Sequence, residues 1–135
     1  MSLQERLGAA LDGVLPIQQE DDGALTVRHD DTFASLRVVT IAEGLDLVSL
    51  TQVLAWDLPL DNKIRAKVAE HAHRTLLGTV SLVVKGAEPG RNSKKSADVL
   101  LRYNFPAAGL TDAALRTLIL MVLEAGVDVR RSLIA

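Results

Sequence analysis

Residues 33 to 58 read FASLRVVTIAEGLDLVSLTQVLAWDL, and the way apolar and polar residues trade places along this stretch decides the fold. From Phe33 to Ile41 both alternating sets are partly apolar: Phe33, Val39 and Ile41 on one side, Ala34, Leu36 and Val38 on the other. Such a pattern suits a strand covered on one face and partly on the other. Ala42-Glu43-Gly44 is short enough for a hairpin, and Leu45 to Leu58 then reads as a long partner strand. Val48, Leu50, Leu54, Trp56 and Leu58 are expected on its core face, with Leu45, Leu47, Ser49, Thr51, Val53 and Asp57 on the other.

Upstream, Ser2 and Glu5 form a capping box, and Leu3, Leu7, Ala10, Leu11 and Val14 follow at helical spacing until Pro16, which predicts a helix over 2–15. Glu20 to Gly23 reads as a turn, Leu25, Val27 and His29 as the inward set of a short strand, and Asp30-Asp31 as its close. Downstream, Asp61 caps a helix carrying Ile64, Val68, Ala72 and Leu76 at i, i+4 and ending near Gly78. Two strands follow, with Val80, Leu82 and Val84 in one and Val99, Leu101, Tyr103 and Phe105 in the other. Thr111 caps a last helix that Gly126 is expected to interrupt. The order is α-β-β-β-α-β-β-α: one α+β domain over residues 1–135, a five-stranded antiparallel sheet with helices packed on one face.

Composition narrows the function classes. The chain has 135 residues, no cysteine, 24% charged residues and a formal net charge of −2, with 15 Lys+Arg against 17 Asp+Glu. The length supports a core without disulfides or a structural zinc, and a thiol nucleophile is excluded. The charge balance points to neither nucleic acid nor an anionic membrane. The longest apolar run, Leu118 to Leu123, is six residues, and no N-terminal basic cluster leads into an apolar stretch. No membrane span and no secretory signal is therefore expected, and the expected location is cytoplasmic.

Catalytic constellations are sparse. Gly86-Ala87-Glu88-Pro89-Gly90 lacks the Lys-Ser/Thr end of a phosphate loop, and no serine lies in a Gly-x-Ser-x-Gly elbow. His71 and His73 sit two residues apart in a helix, about 200° around its axis, and do not share a metal readily. His29 beside Asp30 and Asp31 could make a hydrolytic or metal site, but a strand end with turn carboxylates accounts for them equally well. A concave pocket beside His29 is what the enzymatic reading requires. No catalytic residue, cofactor or metal is assigned.

Two features stand out. The segment 85–96 carries Lys85, Arg91, Lys94 and Lys95 on a Gly/Ser/Pro-rich tip, where Arg91, Lys94 and Lys95 could touch phosphates; a solubilising loop is the plainer reading. In the last helix, Leu118-Ile119-Leu120-Met121-Val122-Leu123 places apolar side chains at every 100° step. One sheet covers one side of such a helix. The other side needs further helices or a second chain, and the mean hydropathy of +0.20 favours a second chain. A homodimer is expected, with Leu118, Leu120, Met121 and Leu123 at its interface and Leu120→Asp splitting it.

The strand end Leu101-Arg102-Tyr103-Asn104-Phe105-Pro106, the following Ala108-Gly109-Leu110-Thr111 and the Leu-rich last helix resemble the YbjN family of sensory transduction regulators. Leu58-Pro59-Leu60 and the passage from Leu77-Gly78 into Val80-Ser81-Leu82 are similar as well, and the resemblance spans residues 20–134. His71-Ala72-His73-Arg74 departs from the family's Asn-containing helix end. The resemblance implies a fold like that of type III secretion chaperones, dimeric, with apolar grooves for segments of other proteins, and a role in bacterial stress or regulation. It implies no catalytic residues. The function expected is a non-enzymatic dimeric adaptor or chaperone-like regulator that binds an unidentified protein partner, with Leu45, Leu47 and Val53 as contact candidates. The alternative is a nucleic-acid-associated factor acting through loop 85–96.

Overall fold

The computed structural model describes residues 1–86 and 95–134. In chain order the elements are α1 (Leu3–Leu11), β1 (Ile17–Gln19), β2 (Leu25–His29), β3 (Thr32–Ala42), β4 (Leu45–Pro59), α2 (Asn62–Arg74), β5 (Thr79–Lys85), β6 (Ser96–Pro106) and α3 (Asp112–Ile134). The strands form one antiparallel sheet in the order β1-β2-β3-β4-β6-β5.

The sheet has six strands where the sequence predicts five. The extra one, β1, is three residues long and pairs Ile17 with Val27 and Gln19 with Leu25. Ile17-Gln18-Gln19 contains a single apolar residue, so no alternation marks it. Pro16 ahead of it still contributes a carbonyl, which accepts from the Arg28 N–H at 3.1 Å.

All three helices lie on one face of the sheet. The strands turn Leu25, Val27, Ala34, Leu36, Val48, Leu50, Leu54, Val80, Val99, Leu101 and Phe105 into a core shared with Leu7 and Leu11 of α1, Ile64 and Val68 of α2, and Leu115, Ile119, Val122 and Leu123 of α3. The Ser2–Glu5 capping box forms, but α1 stops at Leu11 with Asp12 as its C-cap, short of the expected 2–15. Asp61 caps α2, accepting from the Ile64 N–H at 2.8 Å. That helix ends at Arg74 rather than near Gly78. Leu76, expected on the core stripe, is 90% exposed. Gly78 itself has φ +91°, and a Cβ there would lie 2.8 Å from Leu101 Cδ2 and 3.0 Å from the Arg102 carbonyl; no other residue type fits the turn into β5 without displacing β6.

β4 departs from strict alternation. Register shifts between Val53 and Ala55 and between Ala55 and Leu58 turn Ala55 inward and leave Trp56, expected in the core, 49% exposed. Asp57 adopts φ 57° at this bulge. Its N–H donates to Asp98 Oδ1 at 3.0 Å, and Lys85 Nζ reaches Asp57 Oδ1 at 2.7 Å and Asp98 Oδ1 at 2.9 Å. Two carboxylates and one ammonium thus hold the strained residue in place.

α3 runs unbroken through Gly126. The glycine makes room for the amide of Gln52, which is wholly buried between β4 and α3; a Cβ at position 126 would overlap that amide. Gln52 Nε2 donates to Thr32 Oγ1 at 2.9 Å and to the Leu123 carbonyl at 3.1 Å, and Thr32 Oγ1 donates to the His29 carbonyl at 2.6 Å. The end of the β2–β3 hairpin and the middle of α3 are therefore tied together through one side chain.

The apolar circumference of α3 is covered from within. α1 packs on one flank, where Arg116 Nε donates to the Ala10 carbonyl at 2.9 Å, and α2 on the other, where Lys67 Nζ donates to the Ser132 carbonyl at 3.2 Å. Exposed along the outside are Thr117, Met121, Glu124, Asp128 and Arg131, with Ile134 at the end of the helix; Met121 and Ile134 are the large apolar residues among them. The two flanking helices cover part of the surface for which the sequence reading called on further helices or a second chain, and Met121 stays 54% exposed.

Candidate functional site

Among the described residues, the face of the sheet away from the helices carries no covering element. Its residues line up across the strands by register: Arg28, Phe33, Val53, Leu100 and Ser81 form one row, and Thr26, Ser35, Thr51, Arg102 and Thr79 the next. A third row is Arg37, Ser49 and Asn104, and a fourth Val39, Leu47 and Pro106. Beyond it the β3–β4 hairpin end holds Ile41 and Leu45. The face is thus apolar at both ends and polar in the middle. Phe33, Val39, Ile41 and Leu45 are 40%, 42%, 56% and 41% exposed, and Leu47, Val53 and Leu100 are half-buried.

All three predicted contact residues lie on this face, and the structure divides them. Leu45 and Leu47 fall in the hairpin-end patch and Val53 in the other. Six residues of strand, about 20 Å, separate Leu47 from Val53. Sequence reasoning missed Phe33, Val39 and Ile41 as their companions, because alternation within one strand does not say which residues of the next strand stand beside it; the β3–β4 register supplies that.

The polar middle carries Arg37 and Arg102 on the sheet, with the carboxylates of Glu20, Asp21 and Asp22 lining a hollow beside Thr26, Ser35 and Arg37. Arg37 is paired with Asp22 at 2.7 Å. The Ala24 backbone N–H and then Arg37 hold the Asp22 carboxyl below its usual range. Arg102 is exposed and makes no ion pair among the described residues. Arg28 lies 5.1 Å over the Phe33 ring, a cation–π contact at the edge of the first patch.

The predicted dimer residues are scattered around α3. Leu123 is fully buried inside the chain and presents nothing to a second copy, and Leu118 and Leu120 are half-buried on opposite flanks. Met121, 54% exposed, joins Leu76, Leu77, Ala125 and Val129 in a groove of about 350 Å³ between α2 and α3. Of the loop residues, Arg91 and Lys94 lie outside the described residues. Lys95 is exposed, its carbonyl accepting from the Leu60 N–H at 3.3 Å, and Lys85 is engaged by Asp57 and Asp98.

A second concavity lies at the β2–β3 turn. Asp30 and Asp31 have φ 41° and 63°, the two positive values of a tight two-residue hairpin, with His29 and Thr32 paired across it. A hollow of about 580 Å³ opens beside the turn, lined in part by His29, Asp30, Asp31, Trp56 and Arg130. The pocket that the enzymatic reading of His29 requires is present. His29 Nε2 is 2.7 Å from Glu124 Oε2 of α3, and a carboxylate oxygen of Asp30 lies within 4.8 Å of both. Glu124 could not be found from sequence, standing 95 residues away on another element.

No protein-family model and no curated protein matches the chain. Among the described residues, no helix is long and apolar enough to cross a membrane.

Proposed function

We propose that the protein is a non-enzymatic, chaperone-like adaptor that binds a segment of another protein across the open face of its sheet. One observation carries the reading: among the described residues every helix lies on the opposite face, and two apolar patches stay uncovered on the sheet, separated by a polar band that carries Arg102. Such exposed apolar surface, rimmed by polar residues, is a mark of a protein-binding site. The matching segment has apolar residues at both ends and an acidic residue between them to meet Arg102. Its span is about 20 Å, which is some 13 residues of helix or six of extended chain. The YbjN-like resemblance and the type III secretion chaperone-like architecture it implies belong to the same reading, as does a regulatory or stress-related role.

Self-association is assigned to the α2–α3 groove. Leu76 stands almost free of the chain beside Met121, and a two-fold axis through the groove would cover both. The alternative of phosphate contact through loop 85–96 draws no support from Lys85, whose charge is already balanced by Asp57 and Asp98.

The test is capture of protein partners by the wild type and by Leu47→Asp and Val53→Asp, each placing a charge in one patch and leaving the core untouched. The same partner is expected to be lost from both variants. Retention by both, with circular dichroism unchanged, would overturn the assignment of the sheet face.

A further inference from the structure

We propose that His29, Asp30 and Glu124 form a binding site for a divalent transition-metal ion, Zn²⁺ being the first choice. Three kinds of observation carry this, none of which depends on the adaptor reading. The first is the donor set. One imidazole nitrogen and two carboxylate oxygens are ligands that Zn²⁺, Co²⁺ and Ni²⁺ accept, and two anionic donors neutralise a dication. His29 Nε2 and Glu124 Oε2 at 2.7 Å are in direct contact, and the Asp30 oxygen lies within 4.8 Å of both. An ion about 2.1 Å from each donor needs them roughly 3 to 3.5 Å apart, so a small opening of the His29–Glu124 pair and a rotation of Asp30 suffice.

The second is how the donors are held. They come from the end of β2, the turn and α3, and Gln52 locks these together through Thr32 beside the hairpin and the carbonyl of Leu123, the residue before Glu124. Side chains that converge from separate elements onto a clamped frame make a preorganised site. The third is access. The cluster borders the 580 Å³ hollow, which gives water or a small anionic ligand room at the remaining coordination positions. The competing cation is Arg131, whose Nη2 is 3.7 Å from Asp30 Oδ2 and whose Nη1 is 3.5 Å from Asp128 Oδ1, both exposed pairs of the weak kind. Metal binding displaces the first and leaves Arg131 with Asp128.

The experiment is titration of the metal-free full chain with the chlorides of Zn²⁺, Co²⁺ and Ni²⁺, read by calorimetry and by the fluorescence of Trp56. This is the single tryptophan, and it lines the same hollow, so Co²⁺ and Ni²⁺ are expected to quench it. One ion per chain is expected to bind. Glu124→Gln and His29→Gln should each weaken binding by more than the roughly 10- to 100-fold that losing an outer-shell partner costs, with His71→Gln unchanged. Glu124 is half exposed, so its replacement leaves the fold intact even if His29→Gln disturbs the hairpin. Absence of saturable binding to the wild type, or equal affinity in Glu124→Gln, overturns the proposal.

Discussion

Gln52 is polar, wholly buried and central, and its amide does the work of a cross-brace. The two hydrogen bonds from Nε2 fix where α3 crosses β4, and Gly126 exists in that helix because the amide fills the space a side chain would take. Gly126→Ala would ordinarily favour a helix; here it drives a methyl into the amide and is expected to cost about 1–3 kcal/mol, measured by urea denaturation. An unchanged or higher midpoint would mean the brace yields freely. The Asp57–Lys85–Asp98 cluster acts at the same scale. Partial burial pushes the Asp98 carboxyl up, but the hydrogen bonds from Lys85 and the Asp57 N–H outweigh it and the net shift is downward. Asp22 is also lowered. A depressed carboxylate stabilises the folded state fully above its unfolded value, near 3.9, and that contribution is lost as pH falls through the lower folded value. Stability should therefore drop between about pH 5 and 2, with a shallower slope in Asp98→Asn; equal slopes would remove Asp98 from the explanation. The Lys85 ammonium is shifted the other way, chiefly by its hydrogen bond to Asp57 and then to Asp98. Its own titration contributes stability that is complete below its unfolded value and is lost as pH rises through the raised one, so the acid loss comes from protonation of its carboxylate partners.

At the scale of elements, the strands with strong alternation were legible: Leu25–His29, the β3–β4 hairpin and β6 are where the pattern puts them, and Asp61 and Ser2 cap the helices they announce. What was not legible is what one strand's periodicity cannot contain. The first register shift in β4 turns Ala55 inward and Trp56 outward, because one extra residue moves the side chains that follow to the other face, and the second shift returns Leu58 to the core side. β1 is strand only because the edge of β2 offers it partners. The apolar girdle of α3 shows in the sequence, but the cover that α1 and α2 give its flanks depends on packing that no local pattern encodes. The outer-face companions of Leu47 and Val53 and the approach of Glu124 to His29 were hidden for the same reason, since each is a long-range contact. Exposure of Leu76 beyond the end of α2 leads to a prediction at this scale. If the α2–α3 groove joins two copies, the protein scatters light with twice the 14.5 kDa mass of the chain, and Leu76→Asp halves it. A monomeric wild type would leave the sheet face as the molecule's interaction surface on its own.

For the whole molecule, the division of labour is between two faces. The helical face is closed, its three helices bracing one another and the sheet. Among the described residues the outer face is uncovered, patterned apolar, polar, apolar, and stiffened by pairing across three to five strands. Rigidity of this kind limits the entropy lost on binding, since the surface is already in its bound shape. The His29–Asp30–Glu124 cluster lies at the rim where the two faces meet, next to Arg28 and Phe33 of the first outer patch. The most direct measurement is site-specific photo-crosslinking in living cells, with a photoreactive side chain placed in turn at Leu47, at Val53 and, as a control on the solvent stripe of α3, at Asp128. Crosslinks to the same partner protein from positions 47 and 53, with none from 128, are the expected result. Crosslinks from 128 alone, or none from either sheet position, would contradict the assignment of the open face as the binding surface.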